Sequence, residues 1–417
     1  MSEFLKLIPP AEALSLLLRS LPDHEPAGEL VDTLRALNRV TAEVVRAPHS
    51  LPSFPRSTMD GYAVRAADTF GVSESIPGYL ILAGEVPMGS RPTFAIHPGQ
   101  AALIHTGGML PQNADAVVML EQTELARAGE IEIRRPVAEG ENVILVGEDV
   151  QEGQVVIPRG ILIRPAEVGG CMALGITQLL VVKKPKIGII SSGDEVISPE
   201  QEPRPGQVRD VNSYSLAALV TEAGGEPVLY GVVQDKLELI KDIAAKALSE
   251  CQVVVITAGS SASARDMTAE AIAALGSPGV LVHGVNVRPG KPTILAVCGG
   301  RAVIGLPGNP VSAMVIAGLF VVPVIKNLLG VKVERPAKSC LAQLTVNIPS
   351  QAGREDWIAV RLSVSTNQSN EIVDWLADPI FAKSNLIFSL SAADGLIRIP
   401  ADVTGLQAGE AVQVFLF

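Results

Sequence analysis

Lys186-Ile187-Gly188-Ile189-Ile190-Ser191-Ser192-Gly193-Asp194-Glu195 runs from a buried-strand pattern straight into a small, acidic, glycine-centred turn. The arrangement recurs downstream. Val228–Val233 reads as a strand ahead of Asp235, and Val253–Thr257 leads into Ala258-Gly259-Ser260-Ser261-Ala262-Ser263-Ala264-Arg265-Asp266. A third loop, Gly305-Leu306-Pro307-Gly308-Asn309-Pro310-Val311-Ser312, joins a strand to a long apolar helix ending near Leu329. Helical patterns lie between the strands. Asn212 is placed to cap one through Val220 that Gly224 and Gly225 stop, and Leu237, Ile240, Ile243, Ala244, Ala247 and Leu248 form a stripe. A further helix is expected from about Met267, and Asn309-Pro310 reads as an N-cap with proline in the first turn. Strands alternating with helices from Lys183 to Gly330 predict a doubly wound α/β domain, its parallel sheet covered on both faces.

Working outward, Ala13, Leu14, Leu17, Leu18 and Leu21 predict an amphipathic helix between Pro10 and Pro22, and Glu29–Leu37 carries a second helical pattern. From about Arg46 to Asp149, short apolar runs separated by Gly and Pro predict a β-rich module. A helix near Ala166–Leu174 follows. Beyond Val331 the helical period disappears, and Leu341–Val346, Trp357–Leu362, Leu396–Ile399 and Ala411–Phe417 predict a small β-barrel domain.

The 417 residues, 47% hydrophobic and 18% charged, describe a globular chain of several domains. A net charge of −11 argues against broad binding to nucleic acid or anionic membrane, and 4% aromatics are too few for a base-stacking platform. The most membrane-like run, Val311–Ile325, contains Ser312 and Pro323 and is shorter than the roughly 20 residues of a spanning helix. No basic stretch with an apolar run and cleavage site opens the sequence, so a cytoplasmic location is expected. Cys171, Cys251, Cys298 and Cys340 are scattered, and the histidines lack ligand spacing, so neither a disulfide framework nor a zinc site is expected.

Chemistry in a doubly wound sheet gathers at the carboxyl ends of its strands. Gly259, Ser260 and Ser261 form a turn whose amides can approach a phosphate, though the same residues also make an ordinary tight turn. Gly193 and Asp194 belong to a similar turn. Glu195, Asp235 and Asp266 converge on one rim if their strands are neighbours, and acids facing phosphate call for a hard cation such as Mg²⁺, with Glu195 and Asp266 as its ligands. Each acid alone reads equally well as a helix cap. Arg288-Pro289-Gly290-Lys291-Pro292 is a rigid cationic turn suited to a tetrahedral oxyanion. Asp60, Thr106 and Asp149 carry no reading from spacing alone.

Six strings occurring in this order resemble the MoeA-type molybdopterin molybdenumtransferases, relatives of the gephyrin E domain. They are Ser57-Thr58-Met59-Asp60-Gly61-Tyr62-Ala63, Thr106-Gly107, Gly147-Glu148-Asp149, Ser192-Gly193-Asp194-Glu195, Pro289-Gly290-Lys291-Pro292 and Leu306-Pro307-Gly308-Asn309-Pro310-Val311-Ser312. The resemblance spans nearly the whole chain. It implies a linker domain from 1–25 and 150–182, a β-rich module at 26–149, the α/β domain at 183–330 and a β-barrel at 331–417. It also implies an elongated homodimer with each cleft shared between subunits, and a substrate supplied by a molybdopterin adenylyltransferase. The implied reaction inserts molybdate into adenylylated molybdopterin with Mg²⁺-dependent release of AMP. Carried over residue by residue, Asp60, Thr106 and Asp149 reach in from the module to join Glu195, Asp235 and Asp266. Substrate contacts fall to Gly193, Asp194, Gly259, Ser260, Ser261, Arg288, Lys291, Pro292, Pro307, Gly308, Asn309, Pro310 and Ser312.

Two departures from the family pattern stand out. Ala258-Gly259-Ser260-Ser261-Ala262-Ser263 replaces a Gly-Gly-Val-Ser-x-Gly loop, and Ile144-Leu145-Val146 lacks the arginine usual before Gly-Glu-Asp. They keep open a tungstate-preferring homologue and a non-catalytic molybdopterin-binding scaffold.

Overall fold

The computed structural model describes residues 7–258, 262–332, 336–366 and 372–417. The first helix, Pro10–Ser20, starts on a proline and places Glu12 in its first turn and Arg19 in its last, complementing the helix dipole. It buries Ala13 and Leu17 in the core of the α/β domain rather than among residues 150–182. The helix expected over Glu29–Leu37 is absent. Gly28–Asp32 is a strand paired antiparallel with Gln178–Val182, and only Thr33–Ala36 makes a 3₁₀ turn. Cross-chain pairing overrides the local periodicity here.

The β-rich module is a six-stranded sheet in the order Ala116–Met119, Gly61–Val64, Gln100–Ile104, Gly78–Val86, Glu130–Ile133, Thr123–Arg127. It has two cores, one around Val64, Ala101, Val118, Ile131 and Ile133, the other around Val86, Ile96, Ile104 and Val117. Helix Pro165–Ala173 packs Cys171 into a separate small core with Ala36, Ile157, Ile163 and Leu179.

The α/β sheet runs Glu226–Val233, Lys186–Ser192, Val253–Ala258, Arg301–Pro307, Ile294–Cys298, Pro278–His283. It is mixed rather than wholly parallel, because Ile294–Cys298 runs antiparallel to both neighbours. Side-chain alternation explains its two covered faces. Ile187, Ile189, Val253 and Val255 meet Leu216, Val220 and helix Pro310–Leu328 on one side. Ile190, Val254 and Ile256 meet Ala244, Ala247 and Ile272 on the other.

Helix Pro310–Leu328 has 19 residues and a mean hydropathy of 2.0, long and apolar enough by composition to cross a membrane. Half of it is buried, with Ile316, Phe320, Val324 and Ile325 in the sheet core. Pro323 has no N–H to give the preceding turn, and the helix widens to a π turn over Ala317–Val321 just ahead of it.

The C-terminal strands close into a barrel. Glu355–Thr366 pairs on one side with Ile372–Pro379 and on the other with Gly395–Ile399, and Ser339–Leu344 and Ala411–Leu416 complete the circuit. Ile372–Pro379 escaped the sequence reading because Asp374, Asp378 and Pro379 break its apolar pattern. All four cysteines are free thiols.

Candidate active site

The carboxyl ends of the parallel strands open on a cavity of about 530 Å³ lined by Ser191, Ser192, Glu195, Asn212, Thr257 and the Gly308-Asn309-Pro310 turn. Asn385 and Ile387 of the barrel domain complete its wall. Thr257 Oγ1 and Ser191 Oγ lie 3.3 Å apart, cross-linking two strand ends. Asn212 does not cap its helix. It is the first helical residue, and its Nδ2 donates to the Gly308 carbonyl at 2.8 Å. The cap is Asp210, whose Oδ1 accepts from Ser213 N at 3.0 Å. Asn309 likewise makes no cap bond and donates from Nδ2 to Ser384 Oγ at 3.1 Å.

Four buried polar atoms at this rim, Ser192 Oγ, Asn212 Oδ1, Ser213 Oγ and Asp235 Oδ1, have no hydrogen-bond partner among the described residues. Unsatisfied buried groups cost about 1–3 kcal/mol each and are rare outside functional sites. The Asp235 carboxyl is raised from its ordinary value. Burial pushes its carboxyl up, and the charges of Asp194 and Glu195 push the same way. The Ser192 hydroxyl counteracts the rise, close enough to favour the carboxylate although it makes no hydrogen bond to it. Asp194 Oδ1 accepts from the Asp235 amide at 3.2 Å. The acids brought together are therefore Asp194, Glu195 and Asp235.

Asp266 is exposed on helix Ala262–Ala273 and does not line the cavity, so the expected pairing with Glu195 as cation ligands is not among the contacts formed. No group of three His, Cys, Asp or Glu among the described residues makes a ready cation site. The donors nonetheless fit Mg²⁺, which takes one or two carboxylates and fills its shell with phosphate oxygens and water. The unpartnered Asp235 Oδ1 beside two further acids supplies that chemistry. Gly259, Ser260 and Ser261 lie outside the described residues.

The cationic turn reaches the same rim. Ile294, at the start of its strand, pairs with Gly305 in an antiparallel ladder, which brings the turn just before it to the same end of the sheet as the Pro307–Pro310 turn. Gly290 has φ +118°, and a Cβ there would lie 2.3 Å from Ile316 Cδ1, so the turn sits directly on the helix that starts at Pro310. Ser312 is buried in that helix's first turn. Arg288 faces the barrel, its Nη1 3.8 Å from Asp356 Oδ2.

Asp60 and Thr106 are brought together in the β-rich module. Ser57 N donates to Gly108 O at 3.0 Å, Gly107 N donates to Ser57 O at 2.8 Å, and Asp60 Oδ1 accepts from Thr106 N at 2.7 Å. His105 bridges Asp60 and Glu85, at 3.8 Å and 3.2 Å. Asp149 stands apart, lining a cavity of about 350 Å³ with Leu51, Glu167 and Cys171. None of these three residues lines the α/β rim cavity. Ile144, at the position lacking the family arginine, pairs across the ladder with Arg56, which keeps a cation at that edge.

Sequence reasoning missed Asp210, Asn212's bond to Gly308, and the barrel residues Ser384 and Asn385. The only available signal was their position beside turns already singled out.

Family models match three consecutive regions: "MoeA N-terminal region (domain I and II)" at 8–175, "Probable molybdopterin binding domain" at 188–327 and "MoeA C-terminal region (domain IV)" at 342–417. A Methanocaldococcus jannaschii protein named for molybdopterin biosynthesis is 38% identical over 94% of this chain and 93% of its own. Molybdopterin molybdenumtransferase 2 of Mycobacterium tuberculosis is 31% identical over 95% of this chain and 99% of its own. The crystal structure of a molybdopterin biosynthesis MoeA protein from Pyrococcus horikoshii superposes with a TM-score of 0.85 at 34% identity, covering 99% of this chain and 100% of that one. With the domain order, the closed barrel and the rim chemistry all in agreement, the chain belongs to the MoeA family.

Proposed function

We propose that this protein is a molybdopterin molybdenumtransferase of molybdenum-cofactor biosynthesis, inserting molybdate into adenylylated molybdopterin with release of AMP. The observation that carries the reading is the cluster of buried, unpartnered oxygens and crowded carboxylates at the strand ends, beside the Gly308-Asn309-Pro310 turn. Similarity over most of the chain to relatives of that name supports it.

The chain's own groups divide the work. Ser192 and Asn212 offer hydrogen bonds to the pterin substrate within the rim cavity. Lys291 and the turn at Pro307–Pro310 hold the oxyanion, with Arg288 and Ser312 adjoining. Glu195 and Asp235 would hold Mg²⁺ against the adenylate phosphate, with Asp194 beside them and Asp266 retained as a candidate. Mg²⁺, when bound, neutralises phosphate charge during cleavage of the adenylate.

The homodimer belongs to the same reading. Asp60 and Thr106 lie outside the rim cavity of their own chain, so a second copy is the means of delivering them. Leu30, Leu34 and Met172 are 61%, 78% and 52% exposed, the apolar surface such a contact would cover. The substrate would come from a molybdopterin adenylyltransferase, and the setting would be cytoplasmic, without nucleic acid or membrane.

The test is AMP release from adenylylated molybdopterin with Mg²⁺, under anaerobic conditions, with molybdate, tungstate or neither. Stimulation by molybdate supports the reading, and preference for tungstate would move it to that oxyanion. Pterin binding without AMP release would leave a carrier and retire the transferase.

A further inference from the structure

We propose that Asp356, on the barrel domain, is a positioning residue for the oxyanion-binding turn of the α/β domain. Its side chain is 1% exposed although it is charged, and its polar partners among the described residues are cations and a hydroxyl. Arg354 grips it with both arms of the guanidinium, Nε at 2.7 Å and Nη2 at 3.1 Å. Ser350 Oγ donates at 3.0 Å, and Arg288 Nη1 approaches to 3.8 Å from the other domain.

The backbone repeats the link. Val287 and Arg288 add a short parallel strand to the barrel, in register with Glu355 and Asp356. The Glu355 amide donates to the Asn286 carbonyl at 3.1 Å, and Asn286 Nδ2 donates to Gly353 O. Lys291 follows three residues after Arg288. Its turn is held from inside by Val285 N to Lys291 O at 2.9 Å and Thr293 Oγ1 to Gly290 O at 2.6 Å. Beneath the turn, Gly290 rests on Ile316. These three holds are internal to the α/β domain, and the barrel supplies the one from outside it.

The electrostatics give Asp356 a further part. Arg288, Lys291 and Arg354 concentrate positive charge on one side of the domain junction. A buried carboxylate between the two guanidiniums removes their mutual repulsion and fixes the direction in which Arg288 points. Without it, Arg288, whose side chain is already 62% exposed, loses this ion pair and the strand Val287–Arg288 loses a side-chain tie to the barrel. The barrel is then part of the oxyanion subsite's construction without touching the substrate.

The proposal rests on the oxyanion reading of the Arg288–Pro292 turn. The experiment is calorimetric titration of the whole protein with molybdate and with tungstate, paired with hydrogen exchange over residues 286–293. In Asp356→Asn, oxyanion affinity and the oxyanion KM are expected to weaken about tenfold, with kcat and pterin affinity nearly unchanged. Exchange at 286–293 is expected to rise, and Asp356→Glu restores part of both. Unchanged affinity and exchange in Asp356→Asn would overturn the proposal, as would an equal loss of pterin and oxyanion binding, the mark of a merely structural role. Should Asp356→Asn fail to fold, Asp356→Glu keeps the charge and moves it by one methylene. An affinity about threefold weaker is then expected, and a wild-type value overturns the idea. If the wild type takes up no oxyanion, the functional reading of the turn falls with the proposal. Increased exchange in Asp356→Asn would then show that the carboxylate secures the turn for another purpose.

Discussion

Asp60 and Thr106 are 46 residues apart, yet Asp60 Oδ1 accepts hydrogen bonds from both the backbone N of Thr106, at 2.7 Å, and its Oγ1, at 3.2 Å. The backbone bond is the main reason the Asp60 carboxyl lies below its ordinary value of 3.8. The Thr106 hydroxyl and His105 act in the same direction, and desolvation opposes them. A lowered carboxylate stabilises its loop fully above that ordinary value and loses the contribution only as pH falls through the folded value. The loop lock is therefore expected to be flat between about pH 5 and 8. Carboxyl NMR titration should place the Asp60 midpoint below 3.8 in the wild type and higher, but not fully restored, in Thr106→Val. An unchanged midpoint in the variant would show that the hydroxyl contributes nothing.

Asp235 has the opposite sign. A carboxyl raised by burial favours the fold in its neutral form, so that contribution is present below 3.8 and lost as pH rises through the folded value. Asp235→Asn is expected to melt about 1–3 °C above the wild type at neutral pH without Mg²⁺, and to gain less when Mg²⁺ is added. Calorimetry with and without the cation decides it. Equal Mg²⁺ shifts in the two proteins would remove Asp235 from the cation site.

Gly290 tests how tightly the cationic turn is seated. Gly290→Ala adds a Cβ at 2.3 Å from Ile316 Cδ1 and Cγ1 on a backbone with φ +118°. Strain and overpacking together are expected to cost about 2–4 kcal/mol by urea denaturation. A loss below about 0.5 kcal/mol would mean that the turn relaxes freely and is not held by the helix.

A site shared between subunits makes a sharper forecast. Under the proposed sharing, Asp60→Asn and Asp235→Asn should each abolish AMP release, and mixed dimers would carry one intact site assembled from two defective chains. Co-expression of the two variants is expected to restore about a quarter of wild-type activity. Background activity in the mixture would place each active site within a single chain.

Much of the α/β domain was legible because its alternation is enforced on both faces. Ile187, Ile189 and Ile190 face opposite cores, so the strand reads as an uninterrupted apolar run whichever side is considered. Glu29–Leu37 misled because its apolar spacing suits a helix in isolation, while the partner that makes it a strand, Gln178–Val182, lies far along the chain. Asn212 and Asn309 look like caps because cap residues and loop-bridging residues have the same chemistry. Whether an asparagine amide turns to its own helix or to Gly308 and Ser384 depends on what stands opposite.

The sequence by itself determined the domain order, the strand-to-turn punctuation and the acid-rich loops, all consequences of local residue type and spacing. Tertiary structure alone decided which acids meet. Asp235 joins Asp194 and Glu195 because the strand Glu226–Val233 lies beside Lys186–Ser192, whereas Asp266 rides on a helix and stays exposed. It also decided that the barrel helps to wall the rim cavity, through Ser384 and Asn385. Charge, burial and reach are properties of neighbours in space, and the chain brings those neighbours together only when it folds.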